Sequence, residues 1–259
     1  MGSADYGVAR VLAAVERGKR PETDRAVIAA AERQMEQWLL EHQDQPKKAA
    51  PAAGGRPAST GPYVAISREA GAGGSRIARL VGEALGWDVF DRELLECMAE
   101  RYHVSPAMLE LVDETTTNWI TELFGNVIDP HSVSQMQYVF RLSRMILMAA
   151  RKGKIVFVGR GSGFLLPRER GLAVRLIAGH KYRVQQIMER RHLNFEEARD
   201  YVEKTDADRR AFVQQYFHHD ASDPHLFDLV INVEKFGPEL AARQIADAVT
   251  SCLHVTLSS

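Results

Sequence analysis

The hydrophobic pattern of the chain changes period several times between residues 60 and 250. Short apolar runs predict strands at Tyr63–Ser67, Trp87–Phe90, Ile155–Val158, Val174–Ala178 and Leu229–Asn232. Between the first two, Ile77, Leu80, Val81, Ala84 and Leu85 recur at helical spacing, and Gly86 marks a helix end. A long helical section is expected from Arg92 to Arg151, with breaks near Ser105-Pro106 and Asp129-Pro130. A last helix is expected from Pro238, with Leu240, Ile245, Ala248, Val249 and Cys252 facing inward. Apolar strands alternating with helices predict an α/β fold: five strands in a parallel sheet, covered by helices on both faces.

The first 61 residues follow a different pattern. Val8, Val11, Leu12 and Val15 form one helical stripe, and Val27, Ala31, Met35 and Trp38 a second, so residues 1–42 read as a helical arm. Neither helix is long enough to stand alone in water, so both need a partner surface: each other, the main domain, a second copy or another protein. Residues 43–61 are dominated by Pro, Gly, Ala and Ser and read as a flexible linker, spanning roughly 25 Å as a coil. The main domain is expected over residues 62–256.

Composition narrows the function classes. An apolar fraction of 45%, a charged fraction of 26% and a net charge of −1 are those of a soluble globular protein. They give no electrostatic case for a nucleic-acid or membrane partner. The two cysteines, Cys97 and Cys252, form no spaced set, which argues against a disulfide framework or zinc site. The first residues carry neither a basic nor an apolar leader region, and cytoplasm is the expected compartment.

The candidate chemistry begins after the first strand. Ile66-Ser67-Arg68-Glu69-Ala70-Gly71-Ala72-Gly73-Gly74-Ser75-Arg76 places a glycine-rich turn between a strand and a helix, the context of a phosphate-binding loop. Compared with G-x-x-x-x-G-K-[ST], Gly73 fits the second glycine and Ser75 the hydroxyl that would hold Mg²⁺. Arg68 stands at the first glycine and Gly74 at the lysine, and Arg68 and Arg76 are the nearest cations that could compensate. A plain strand-to-helix turn is the competing reading.

Two further features fall at strand ends, where open α/β sheets bind ligands. Asp91-Arg92 follows the second strand and could hold an acceptor, although Asp91 could equally cap the helix that follows. Gly159-Arg160-Gly161 follows the third and frees space beside a guanidinium suited to phosphate. From Arg160 to Arg191 eight Lys/Arg stand against two acids, with Asp206, Asp208, Arg209 and Arg210 downstream. An arginine-bearing lid and a solvated helix face both fit this run. The spacing of His218, His219, Asp220 and His225 matches no standard zinc pattern.

In order and well spaced, these segments resemble the cytidylate kinase-like family of P-loop proteins. The matching stretches are Ile66–Gly74, Phe90–Leu95, Val156–Gly161, Thr205-Asp206 with Arg209 and Phe212, and Asp223–Asn232. The resemblance implies a five-stranded parallel P-loop kinase core with an acceptor-binding insertion around 91–150 and a lid around 180–215. It implies ATP with Mg²⁺ as donor and a nucleoside monophosphate, CMP or dCMP among them, as acceptor. The donor phosphates would lie on Gly71, Ala72, Gly73, Gly74 and Ser75, between Arg68 and Arg76. Arg160 matches the arginine that contacts the acceptor, alongside Asp91 and Arg92, and Arg183, Asp206 and Arg209 fall in the lid. Arg68, Arg160, Arg183 and Arg209 are thus the expected catalytic cations. The chain departs from true cytidylate kinases at three positions: Gly74 replaces the loop lysine, Gly161 replaces the Asp after the motif arginine, and Val158 replaces an acid at the end of the third strand. The expected function is ATP-dependent phosphoryl transfer to a nucleoside monophosphate. The alternatives are a nucleotide-binding regulator, which the missing lysine favours, and a kinase for another phosphorylated metabolite.

Overall fold

A computed structural model of the protein describes residues 60–91 and 133–253. The helical arm, most of the linker, Arg92 and the breaks near Pro106 and Pro130 lie outside the described residues.

Five parallel strands form one sheet: β1 (Tyr63–Arg68), β2 (Asp88–Phe90), β3 (Ile155–Val158), β4 (Gly171–Ile177) and β5 (Leu229–Asn232), in the order β2-β3-β1-β4-β5. The connecting helices are α1 (Gly74–Leu85), α2 (Val133–Lys152), the short α3 (Ser162–Leu165), α4 (His180–Arg191), α5 (Phe195–Phe217) and α6 (Val233–Leu253). Within β1, Val64 and Ile66 join the core under α1 and α6, while Tyr63 and Ala65 join the core under α2 and α3. The sheet is therefore the middle of three layers, with β1 at its centre. A third, smaller core of Val184, Ile187, Ala198 and Val202 closes over Ala70, so the glycine-rich loop is packed directly against α4 and α5.

Strands β3 and β5 occupy the residues the pattern predicted. Strand β4 begins earlier, at Gly171 rather than Val174. A side chain at 171 would overlap the ring of Tyr63, which is buried and donates its hydroxyl to the Pro167 carbonyl at 2.9 Å. Glycine starts this strand because the ring of its neighbour lies over it.

Two helix faces are rotated from expectation. On α1 the buried set is Gly74, Ile77, Ala78, Val81, Gly82 and Leu85, and Ala84 is exposed. The helix turns its smallest residues inward because it lies close to β2: a methyl on Gly82 would stand 2.5 Å from Val89 and 2.9 Å from the Trp87 carbonyl. Gly86 does end the helix, in the left-handed conformation, with its N–H on the Gly82 carbonyl. On α6, Ile245 and Val249 are buried, but Leu240 is 43% exposed and Cys252 is exposed as well. The inward face is completed by Ala241, Ala242 and Ala246, which allow close approach to the sheet. The helix also begins directly after β5 and breaks at Gly237 before restarting at Pro238. Among the described residues no helix is long and apolar enough to cross a membrane.

The contact at Gly171 gives a stability test. Gly171→Ala should lower unfolding free energy by roughly 1–3 kcal/mol, the range for overpacking a core. Urea unfolding of the variant reads this directly.

Candidate active site

The parallel register brings the predicted features to one edge. Ile66 pairs with Val158 and Arg68 with Leu176, so β1, β3 and β4 end together. The Gly159 N–H donates to the Ile66 carbonyl at 3.0 Å, and the Glu69 N–H to the Leu176 carbonyl at 3.1 Å. The loop is thereby pinned on both sides as it leaves the sheet. Gly71 and Gly73 have positive φ, and α1 starts at Gly74 with no side-chain cap. Nothing lies within 4 Å of where a Gly73 Cβ would stand, so the loop is open above the helix start. Backbone N–H groups at such a start favour an anion.

The loop is held from behind by Arg183, which is only 8% exposed. Its Nε donates to the Ala178 carbonyl at 3.0 Å, and its Nη1 to the Ala70 carbonyl at 3.2 Å and to Asp206 Oδ2 at 2.5 Å. Glu69 Oε2 lies 3.3 Å from the same Nε and accepts the Ala178 N–H at 3.0 Å. Asp206 Oδ1 accepts the Ala70 N–H at 2.7 Å. One buried cation thus joins the loop, the end of β4 and helix α5. Gly71 is part of this fit, since a side chain there would overlap the Arg183 carbonyl. Glu69 was not among the expected site residues; its place inside the Ser67-Arg68-Glu69 stretch was the available signal.

Arg209 donates from Nη1 to the Arg68 carbonyl at 3.0 Å. The Arg68 side chain runs over Gly74 and ends against Gly159, the residue before Arg160. Gly159, Arg160 and Gly161 are three successive residues with positive φ, of 77°, 55° and 71°. This left-handed turn is closed by the Ser162 N–H and hydroxyl, both on the Gly159 carbonyl. For Arg160 the conformation costs about 1–3 kcal/mol, a strain typical of functional positions. Its guanidinium lies 5.9 Å from the ring centre of Phe212 on α5, within cation–π range. A side chain at 161 would overlap the ring of Phe217, so no carboxylate fits after Arg160.

The remaining candidates are placed as follows. Ala72 is buried under the loop, and Ser75 is half-buried at the second position of α1. Asp91 is half-buried at the end of β2. Arg76 points to α6, where it pairs with Glu239 at 2.5 Å in an exposed position. A further cation, Arg175 on β4, reaches Ser67 Oγ at 3.3 Å and lies 5.4 Å from the Phe227 ring centre. Burial lowers its pKa from the ordinary arginine value, against the opposing pull of Glu69, Asp206 and Asp220. Asp220 and His225 are engaged locally, with Ser222 and Asp223, and His219 stacks on Phe164. Among the described residues no group of three or more His, Cys, Asp or Glu is placed to hold a metal.

Removing Arg183 leaves Asp206 and Glu69 without their shared cation in a largely buried setting. Arg183→Ala should therefore cost about 3–5 kcal/mol of stability. Urea unfolding beside the wild type gives the value.

Comparison with known proteins adds four findings. A 105-residue stretch is 27% identical to the cytidylate kinase of Ignicoccus hospitalis, covering 40% of this chain. The match spans only 61% of that relative's length. An uncharacterized protein from Eubacterium ventriosum has a similar solved structure, with a TM-score of 0.59, 19% identity, and coverage of 73% of this chain and 98% of that one. A shikimate kinase from Bacteroides thetaiotaomicron is a more distant likeness, with a TM-score of 0.42, 12% identity, and coverage of 75% and 99%. Residues 63–235 match the cytidylate kinase-like family, from the start of β1 to the first turn of α6, and the chain belongs to that family.

Proposed function

We propose that the protein transfers the γ-phosphoryl group of ATP to a nucleoside monophosphate. The observation that carries this reading is the convergence at one sheet edge of the open glycine loop, the Arg68 side chain, which reaches from β1 to Gly159 in the turn that bears Arg160, and Arg209 of α5, which holds the Arg68 carbonyl. Phosphoryl transfer asks little covalent chemistry of a protein, and much positioning and neutralisation of charge.

In this reading the loop amides from Gly71 to Ser75 hold the donor phosphates. Arg160 and Asp91 lie on the acceptor side, at the ends of β3 and β2. A phosphate oxygen of the acceptor attacks the γ-phosphorus. A new O–P bond forms while the bond to the β–γ bridging oxygen breaks, and its electron pair leaves on ADP. The donor set fits Mg²⁺, which takes few protein ligands when phosphates supply the rest, and Ser75 stands at the helix start with a hydroxyl. Bound with ATP, the ion would neutralise the β- and γ-oxygens, with Ser75 as its protein ligand. Arg183 and Asp206 act here as positioning residues that fix the loop.

The acceptor base is not selected by a carboxylate after Arg160, because Phe217 fills that space. CMP and dCMP therefore stand beside other monophosphates as acceptors to be compared. A nucleotide-binding regulator is the second reading, favoured by glycine at the lysine position.

A coupled ADP-release assay with ATP, Mg²⁺ and CMP, dCMP, UMP, AMP, GMP or TMP separates the two. The kinase reading expects acceptor-dependent release, reduced roughly 100-fold or more by Arg160→Ala. Tight ATP binding with no release for any acceptor would favour the regulator.

A further inference from the structure

The two departures from the phosphate-loop pattern, Arg68 and Gly74, meet in space. A methyl on Gly74 would lie 2.7 Å from Cγ of Arg68 and 3.2 Å from its Cβ and Cδ. The aliphatic stem of Arg68 therefore covers the first residue of α1, where a lysine side chain would have to emerge. The stem continues from the end of β1 to the turn after the neighbouring β3. A side chain on Gly159 would overlap Nη1 of Arg68, with Cζ only 3.0 Å away. Two glycines thus make a track for one arginine, and its guanidinium ends next to Arg160. Beside this track the space over Gly73 stays open.

We propose that Arg68 is the cation of the phosphate loop, replacing the lysine of the pattern and reaching the β- and γ-phosphates of a nucleoside triphosphate from the strand side. This rests on the phosphate-loop reading above. The charge has moved from the helix start to the strand end, and Gly74 is the residue that permits the move. Any side chain at 74 would press on the Arg68 stem, so arginine at 68 and glycine at 74 form one coupled exchange. The Arg209 bond to the Arg68 carbonyl fixes the point from which the side chain departs. A guanidinium also offers a planar fork that can bridge two phosphate oxygens, which an ammonium cannot. The rival candidate, Arg76, is turned toward α6, and both its side chain and that of Glu239 are more than 60% exposed.

The test compares the full-length wild type with Arg68→Ala, Arg68→Lys, Gly74→Lys, Arg76→Ala and the double variant Arg68→Gly with Gly74→Lys. ATP binding is measured by calorimetry in the presence of Mg²⁺, ADP release by the coupled assay, and folding by thermal melting. The expected losses for Arg68→Ala are roughly 10-fold in ATP affinity and roughly 100-fold in turnover. Gly74→Lys alone should also weaken ATP binding, because its stem collides with Arg68. The double variant should recover most of the affinity, since it returns the charge to the helix and removes the collision. Arg68→Lys, which keeps stem and charge but loses the fork, should fall between the wild type and Arg68→Ala, and serves if the alanine variant does not fold. Unchanged ATP affinity in a folded Arg68→Ala, a larger loss in Arg76→Ala, or no recovery in a folded double variant would each overturn the assignment. A wild type that binds no ATP would overturn the phosphate-loop reading as well. One that binds ATP and is indifferent to Arg68 would overturn this assignment alone.

Discussion

The buried guanidinium of Arg183 is the interaction on which the site depends. A loop of small residues has little side-chain packing beyond Ala70 and Ala72 with which to keep a shape. Here it is shaped from behind, by a cation that binds the Ala70 carbonyl and orients Asp206 onto the Ala70 N–H. Glu69 completes the arrangement and ties it to the end of β4. A charge this deeply buried persists only with full pairing, and its partners come from the loop, the sheet and α5 together. Loop geometry and helix position are therefore a single constraint. Movement of α5 would be felt at the glycine loop, and a ligand held in the loop would be felt at α5.

Space at this edge is allotted by glycine. Gly74 and Gly159 make room for Arg68, and Gly161 makes room for Phe217. Each of these positions departs from the simple phosphate-loop or cytidylate kinase pattern, or flanks a departure, and each has a bulky neighbour as its reason. Arginine at the strand end requires glycine at the helix start. An aromatic ring at the end of α5 requires glycine after Arg160. Read separately, these residues look like losses of function; in space they are the two sides of contacts.

Much of this was legible in the sequence. Strands β3 and β5, the end of α1 at Gly86 and the gathering of three motifs at one sheet edge follow from periodicity and turn chemistry. What was not legible depends on distant partners. The inward faces of α1 and α6 shift toward alanine and glycine because those helices lie close to the sheet, which exposes Ala84, Leu240 and Cys252. Strand β4 starts at Gly171 because Tyr63, over a hundred residues earlier, lies against it. Glu69 lies in the glycine-rich stretch and Asp206 in the expected lid, but only the fold shows that they share Arg183. Likewise only the fold shows that Arg68 lies over Gly74 and Gly159 while Arg76 turns toward Glu239, far along the chain. The helical arm and Arg92 lie outside the described residues, and the expectations for them stand as sequence expectations.

If the glycine loop holds the phosphates of a nucleotide and Arg183 and Asp206 carry that event to α5, ATP protects both places together. Hydrogen–deuterium exchange of the full chain, with and without ATP and Mg²⁺, measures this. Slower exchange is expected in peptides covering residues 68–76 and, with them, in the part of α5 around Asp206 and Arg209. Unchanged exchange in the 68–76 peptides at saturating ATP would leave the loop as a turn between a strand and a helix.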